Sequence, residues 1–573
     1  MLSRRAFVTA VATALAGAVA AACSGPSSAG PRSEVASGQR FPTPPSSPAS
    51  PAPTPSATPT PTPTATPEPP RVSIWVDPTL PPHFAHVAQE AMTTLQTTLS
   101  DARLTPVTSP DDADLRVVLT TTPGDDAITV AREPLVVAVS PRLPLHALSA
   151  EQARSLLSGA TSDWVEVGSP TPGPVVRLPL DAPGSVASDY EALVGQFASE
   201  PGGVALVPLS TVDFRVGTLP VDGLDPVRYP DQAEPYPFHR YLVIEGADPA
   251  SADDVGPPAQ LLPGNAVTIT MVGDIILGRT VHTIMTRLGD YTAPFHLVAD
   301  ELKAADLTVG NLEWTLSDTI PPPTDPYTFS FMTRAAGVEG LRLAGIDAVS
   351  QANNHSMNFG EAGMADTLAA LQGAGIVPFG IGPDLATARA PAIFDIRGVQ
   401  VAYLGYDGIT GHVHGATDVS PGTAPMVVDY MVADIEQASQ QPDLVIPFIH
   451  WGIEYTLTPS DEQRLIARRA IDAGAALVVG SHPHWVQGME IYQGKPIVYS
   501  LGNFVFDQEW SLETKQGLIM HLAFHGSRLA AVRLVPVLIE NYYRPRIVDG
   551  QEMTAILDRV WASTDQLLAA PLE

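Results

Sequence analysis

The chain has 573 residues, 45% of them hydrophobic and 16% charged, with a formal net charge of -30. That length exceeds one ordinary domain. The acidic balance, 61 Asp and Glu against 31 Lys and Arg, argues against nucleic acid as a partner, because phosphate backbones are held by Lys and Arg. The single cysteine, Cys23, excludes an internal disulfide and a thiolate-rich metal site, so any metal must be held by His, Asp, Glu or Asn.

The first predicted element is a targeting segment over 1–22. Arg4 and Arg5 precede an apolar run from Ala6 to Ala22 that ends in small residues, the pattern of a signal peptide. The Ser3-Arg4-Arg5-Ala6-Phe7 start resembles a twin-arginine export signal. Cys23 stands where cleavage would leave it first, which resembles a bacterial lipoprotein. That resemblance implies lipidation at Cys23 and a membrane anchor on the outer face of the cytoplasmic membrane. Residues 23–70 then form a lipid-anchored linker rich in Pro, Ser and Thr. Such a segment cannot bury enough apolar surface to fold. Proline biases it toward an extended spacer of about 3.1 Å per residue, on the order of 100 Å or more in all.

Residues 71–248 are predicted to be an α/β domain. A strand at 72–76, a helix over 83–99 and a second strand at 115–119 suggest a parallel sheet. A further apolar strand at 134–139 leads to Leu148-Ser149-Ala150-Glu151-Gln152 and a helix ending at Gly159, with Trp164 beyond it. These residues, and the return strand at 203–210, resemble the phosphate-type periplasmic solute-binding proteins. Those proteins hold an anion with a Ser-Gly-Thr turn at a helix N-terminus. The matching stretch here, 182–188, departs from that motif and offers Ser185 and Ser188 as donors.

Residues 265–545 carry the chemistry. Five apolar, β-rich runs each lead to a ligand-type residue, four of them through a small residue. Residues 267–272 lead to Gly273-Asp274, and 307–309 lead to Gly310-Asn311-Leu312-Glu313. Residues 347–351 lead to Ala352-Asn353-Asn354-His355, 444–449 to His450, and 476–480 to Ser481-His482-Pro483-His484. Sites in open α/β sheets gather at the carboxyl ends of strands. The pattern therefore predicts that Asp274, Glu313, Asn354, His355, His450, His482 and His484 converge on one rim. Oxygen and imidazole donors without sulfur suit Mn, Fe or Zn.

These segments, with Gly273-Asp274-Ile275-Ile276-Leu277-Gly278-Arg279, His450-Trp451-Gly452-Ile453-Glu454-Tyr455 and Tyr499-Ser500-Leu501-Gly502-Asn503-Phe504, resemble the poly-γ-glutamate capsule biosynthesis (CapA) family. That family is a branch of the calcineurin-like metallophosphoesterases. The resemblance implies an α-β-β-α sandwich, preceded here by the periplasmic-binding-protein-like α/β domain. It implies Asp274, Glu313, Asn354, His450, His482 and His484 as ligands of one or two divalent metal ions, and His355 as the acid that protonates the leaving group. The wider superfamily carries Asp-x-His at the first motif, where this chain has Ile276. Its bridging Asp is replaced here by Glu313, so one metal is the simpler expectation. Asn311 and Asn503 are expected to support the site. Arg279 and Glu454 either contact the substrate as catalytic groups or form ion pairs at its edge.

A helix is expected over 460–473, with Leu465, Ile466 and Ile471 in the core, and a terminal helix over 551–573. The functional expectation is a capsule polymer biosynthesis protein with a metal-dependent hydrolase-type site. Its partners would be an anionic cell-surface polymer or phosphoester, the membrane and a polymer synthase complex. The alternatives are a non-catalytic polymer-binding or assembly factor, and a tethered small-anion sensor acting through 71–248.

Overall fold

The computed structural model describes residues 71–89, 103–125, 127–180, 182–183, 185–246, 259–262, 264–325, 327–570 and 572. The targeting segment, Cys23 and the linker lie outside them, as do residues 90–99 of the helix expected over 83–99, of which 83–89 is helical. No helix among the described residues is long and apolar enough to cross a membrane.

Two compact units divide the chain. The smaller takes residues up to Glu133 together with His239–Leu261, and the larger takes Pro134–Phe238 with Leu262–Glu573. The stretch expected as one domain, 71–248, is thus split between them. In the smaller unit, Arg71–Val76 pairs in parallel with Arg103–Pro106 and Leu115–Thr120. Leu115–Thr120 also pairs antiparallel with His239–Glu245, so the sheet is mixed rather than parallel.

In the larger unit, Pro134–Phe238 contributes a small sheet. The end of Ala127–Val139 pairs antiparallel with Gly203–Pro208 and Gly217–Leu219. The expected helix appears as Ala150–Ser158. Ser149 and Gln152 close a capping box at its start, and Gly159 ends it in the left-handed conformation. Trp164 is buried, and its indole N–H donates to the Gly202 carbonyl at 3.0 Å.

Residues 262–573 form the expected sandwich. One sheet runs in the order Val377–Phe379, Ala348–Ser350, Leu307–Leu312, Ala266–Ile275, Gln516–His525, Arg528–Glu540, Arg544–Ile547, with Asn503–Val505 against Ala266–Ile275. The other runs Ala392–Ile396, Val399–Asp407, Leu444–His450, Val478–Ser481, Lys495–Val498, Met489–Tyr492. Val267, Ile269 and Met271 of the first sheet meet Val401, Tyr403, Ile446 and Phe448 of the second in one core. Helices cover both outer faces. Val281, Met285, Leu341 and Leu371 pack on the first sheet, and Met431, Ile435, Ala467 and Ile471 on the second. Because both faces of each sheet are covered, the central strands read as continuous apolar runs rather than alternating ones.

The helix Asp461–Asp472 opens with Ser460 and Gln463 in a capping box. One expected core residue fails here. Leu465 is 55% exposed, while Gln463, Arg464, Ala467, Ala470 and Ile471 form the buried face. The terminal helix spans Gly550–Ala569 and buries Met553, Ile556, Leu557 and Val560.

Candidate metal centre

Each ligand-type residue sits where a strand of the sandwich ends. Asp274 lies one residue from the end of Ala266–Ile275, beyond a shift in its register with Leu307–Leu312 between Met271 and Asp274. Such an irregularity re-aims a side chain at a strand end. Gly273 permits the approach: a Cβ there would lie 2.0 Å from the Gly502 carbonyl oxygen, the oxygen that accepts the Asp274 N–H at 3.0 Å. Glu313 follows Leu307–Leu312, His450 ends Leu444–His450, and His482 follows Val478–Ser481.

These side chains converge. Glu313, His450 and His482 form one group whose ligand atoms lie within 4.8 Å of one another, Asp274, Glu313 and His484 a second, and Glu454, His482 and His484 a third. Glu313 Oε1 stands 3.7 Å from both His450 Nε2 and His355 Nε2. His484 Nδ1 lies 3.2 Å from Asp274 Oδ2 and 2.9 Å from Asn503 Oδ1. Asn354 is beside the cluster, its Oδ1 2.7 Å from His450 Nε2.

A layer of amides fixes the carboxylates from behind. Asn311 donates through Nδ2 to Asp274 Oδ1 at 2.8 Å, and the same nitrogen is 3.2 Å from His450 Nδ1. Asn353 donates to Asn311 Oδ1 at 3.1 Å, and its own Oδ1 accepts the His355 N–H at 3.1 Å. The backbone carries strain at the same place. His482, His484, Tyr455 and Arg279 all have positive φ, +96°, +56°, +61° and +49°, a region such residues enter only when the surroundings enforce it.

The electrostatics follow from burial. Asp274 and Glu313 are fully buried. Desolvation, then the negative charges of Asp274, Glu454 and Asp407, push the Glu313 carboxyl well above its ordinary value. Desolvation pulls His450 well below the usual imidazole value, His482 to about 3 and His355 to about 4. These histidines are therefore neutral near pH 7, the form in which imidazole ligates metal. Glu313 Oε1 and His482 Nδ1 are buried without a hydrogen-bond partner. A buried carboxylate oxygen left so is costly. A divalent cation would satisfy both atoms, and the oxygen and imidazole donors fit Mn, Fe or Zn.

The predicted edge residues separate. Arg279 pairs with Asp507, which also accepts the Thr280 N–H at 3.0 Å. Its guanidinium lies over the rings of Phe331 and Phe506, 5.0 and 4.9 Å from their centroids, so the ion-pair alternative describes it. Glu454 is exposed, within the group that includes His482 and His484. Ser185 and Ser188 lie far from this chemistry in sequence and are exposed. The helix they precede, Tyr190–Ser199, is capped by the Asp189 carboxylate, with Glu191 in its first turn, so the chain's own acids stand where an anion would bind.

Sequence reasoning missed Asp407, Asn358 and Asp507. Asp407 ends Val399–Asp407 in register with His450. Its strand has the apolar run and terminal ligand-type residue that marked the other five, with Tyr406 between Gly405 and the acid. Asn358 faces His355, its Oδ1 2.9 Å from Nδ1, and only the spacing of three residues hints at it. Asp507 carries no signal beyond its position after Gly502-Asn503-Phe504.

Comparison with known proteins places this geometry. The family described as "Bacterial capsule synthesis protein PGA_cap" matches residues 268–508. The "PGA biosynthesis protein CapA" of Bacillus subtilis strain 168 is 32% identical over 47% of this chain and 72% of its own length. The "Capsule biosynthesis protein CapA" of Bacillus anthracis is 34% identical over 48% of this chain and 68% of its own. Among solved structures, the calcineurin-like phosphoesterase YfkN of Bacillus subtilis is 14% identical, covering 54% of this chain and 99% of that one with a TM-score of 0.31. The order and spacing of the rim motifs, and the extent of both CapA matches, show that the chain belongs to the bacterial capsule synthesis (CapA) family.

Proposed function

We propose that this protein takes part in assembling an anionic cell-surface polymer of the poly-γ-glutamate type, through a metal-dependent hydrolase-type site formed by Asp274, Glu313, Asn354, His450, His482 and His484. The observation that carries this reading is the pair of buried, unpartnered atoms, Glu313 Oε1 and His482 Nδ1, within the convergent cluster. Family membership supports the polymer, since both CapA relatives are named for capsule or PGA biosynthesis.

When bound, a divalent ion would supply Lewis-acid chemistry, polarising the scissile phosphoryl or carbonyl group and lowering the pKa of water from about 15.7 toward about 7. Asp274, Glu313, Asn354, His450, His482 and His484 would hold it, with Glu454 at its border. Asn311, Asn353 and Asn503 keep those ligands oriented, the role of groups behind a metal site. His355, fixed through Nδ1 by Asn358, presents Nε2 toward Glu313. In the neutral ring Nδ1–H donates to Asn358 Oδ1 and Nε2 is the proton acceptor, so His355 acts as the acid only after Nε2 has taken up a proton, which it then passes to the leaving group. Arg279 positions the wall of the site through Asp507 and the two phenylalanines.

The same proposal places the protein outside the cytoplasmic membrane. Support comes from the twin arginines and the apolar run before Cys23. Lipidation at Cys23 would anchor the chain, the proline-rich linker would hold the site away from the bilayer, and a polymer synthase complex would be its neighbour.

Phosphoester and γ-glutamyl amide hydrolysis by the full chain, with and without His355→Ala, tests the proposal. Metal-dependent turnover that falls at least a hundredfold in the variant, within the usual span of general acid–base effects, is expected. Polymer binding without turnover of either bond would move the protein to the assembly-factor reading.

A further inference from the structure

The larger compact unit holds a second polar cluster, unrelated in composition to the metal-type rim. A cavity of about 270 Å³ is lined by the segment 139–146, by Arg228, by the strand Arg528–Glu540 and by the helix Gly550–Ala569. Its wall is mostly apolar, with Leu143, Met553, Leu557 and Trp561 among its residues. Two guanidinium groups, Arg228 and Arg533, also line it.

Those two cations are unusual in their surroundings. Arg228 is 8% exposed, and its Nε is buried without a hydrogen-bond partner. Neither Arg228 nor Arg533 makes an ion pair with a carboxylate among the described residues. Burial, then the positive charge of Arg228, pulls Arg533 below its ordinary value. Two carboxylates, Asp225 on the cavity wall and Glu301, attract both guanidinium groups without forming a direct ion pair with either. Glu301 lies 2.7 Å from His521 Nε2. Asp225 is fully buried, with its carboxyl pushed upward by desolvation, and accepts the Arg228 backbone N–H at 3.3 Å. Arg215, also on the wall, is paired with Asp213 and Glu191 at 2.7 Å each. His146 Nε2, on the same wall, is buried without a partner as well.

Arg228 is buried and Arg533 partly buried, and a buried guanidinium N–H without a partner, as at Arg228 Nε, is costly unless something satisfies it. In a chain of net charge -30 the two residues place guanidinium donors on an otherwise apolar wall, beside Asp225 and Glu301 and with the Arg228 Nε–H still free to donate. A small hydrated anion would leave the apolar wall facing water, and an uncharged apolar ligand would leave Arg228 Nε unsatisfied. We propose that this cavity binds an amphipathic monoanion, with a carboxylate-type head between Arg228 and Arg533 and an apolar body against Met553, Leu557 and Trp561. The volume lies near the lower bound of small-molecule sites, about 300 Å³, so the ligand is a short one. Guanidinium matches a carboxylate through paired, charge-assisted hydrogen bonds. The proposal is independent of the metal centre.

Calorimetric titration of the full chain with octanoate, 1-octanol and inorganic phosphate tests it, and on the unaltered protein the comparison needs no variant. Saturable octanoate binding is expected, with octanol and phosphate each at least tenfold weaker. Arg533→Gln should weaken octanoate at least tenfold and leave octanol within twofold. Leu557→Trp, which fills the apolar part without touching either charge, should weaken both octanoate and octanol. Phosphate as tight as octanoate would reduce the cavity to a bare anion site and overturn the proposal. So would octanol as tight as octanoate, an absence of saturable octanoate binding, or octanoate affinity unchanged in a folded Arg533→Gln protein.

Discussion

Two buried polar clusters share the larger unit and are built in opposite ways. The rim around Asp274 and Glu313 is carboxylate and imidazole, supplied by successive strand ends, each announced by a short local motif. The cavity around Arg228 and Arg533 presents guanidinium donors on an apolar wall, assembled from a loop, a strand and a helix that share no motif. The first leaves oxygen and nitrogen acceptors unsatisfied, the second leaves donors unsatisfied. The signs of the missing partners are therefore opposite: a cation for the rim, an anion for the cavity.

The rim depends on backbone contact more than on any one ligand, and that is where the largest effect is expected. Gly273→Val would drive side-chain atoms into the Gly502 carbonyl, since a Cβ alone would already lie 2.0 Å away. Overpacking of that kind typically costs about 1–3 kcal/mol and occasionally more. Against backbone that cannot yield, the expected loss is at the top of that range or beyond it, read as a fall in soluble, cooperatively unfolding protein.

The cavity's side of the comparison can be tested by acid. His525, which hydrogen-bonds the Val227 carbonyl at 2.9 Å, is held by burial at about 4, and His521 likewise at about 4. Both lie below the ordinary value of 6.5, so the unfolded chain binds more protons between pH 6.5 and 4. Stability is therefore lost as pH falls from about 6.5 through about 4. Each histidine contributes up to about 3 kcal/mol, at 1.36 kcal/mol per pKa unit. Denaturant unfolding across that range should show the loss, with a smaller slope in His525→Gln.

A change of sign distinguishes the rim from an ordinary polar core. Glu313→Gln replaces a carboxyl that burial and Asp274 disfavour as an anion by an amide that is never charged. In chelator at neutral pH the variant is expected to be more stable than the parent, because it needs no proton to stay neutral in that site. With saturating Mn or Zn the order should reverse. Thermal unfolding in both conditions reads this directly, and a variant less stable in chelator would contradict the account of Glu313. The smallest effect belongs to the surface. Arg142 and Asp565 pair at 2.6 Å but are 40% and 57% exposed, so Arg142→Ala should cost no more than about 0.5 kcal/mol.

The contrast also explains what could be read from sequence. Strand ends were legible because an apolar run that leads to a ligand-type residue, in four cases through a small one, has few other uses. All five such segments lie where expected, and Ser460 followed by Asp461 and Glu462 marked the start of its helix. Asp407 shows the same pattern and was overlooked because no motif accompanies it. The errors arose where tertiary packing chose between equivalent faces. Leu465 looked like core, yet its helix buries Gln463, Arg464 and Ala467 instead. Ser185 and Ser188 looked like anion donors, but Asp189 takes the helix cap. Local sequence did not reveal that residues 134–238 group with the C-terminal sandwich, because Val136 and Ala138 meet Ala523 and Ala531 across nearly 400 positions. The cavity was invisible for the same reason.

The central claim is that the rim binds a divalent metal. Its most direct test is the metal content, by inductively coupled plasma mass spectrometry, of the full chain purified without chelator, beside a His482→Ala/His484→Ala double variant. The account predicts at least one equivalent of Mn, Fe or Zn per chain in the parent and its loss in a variant that still folds. No metal above the variant's level, even after reloading, would contradict it.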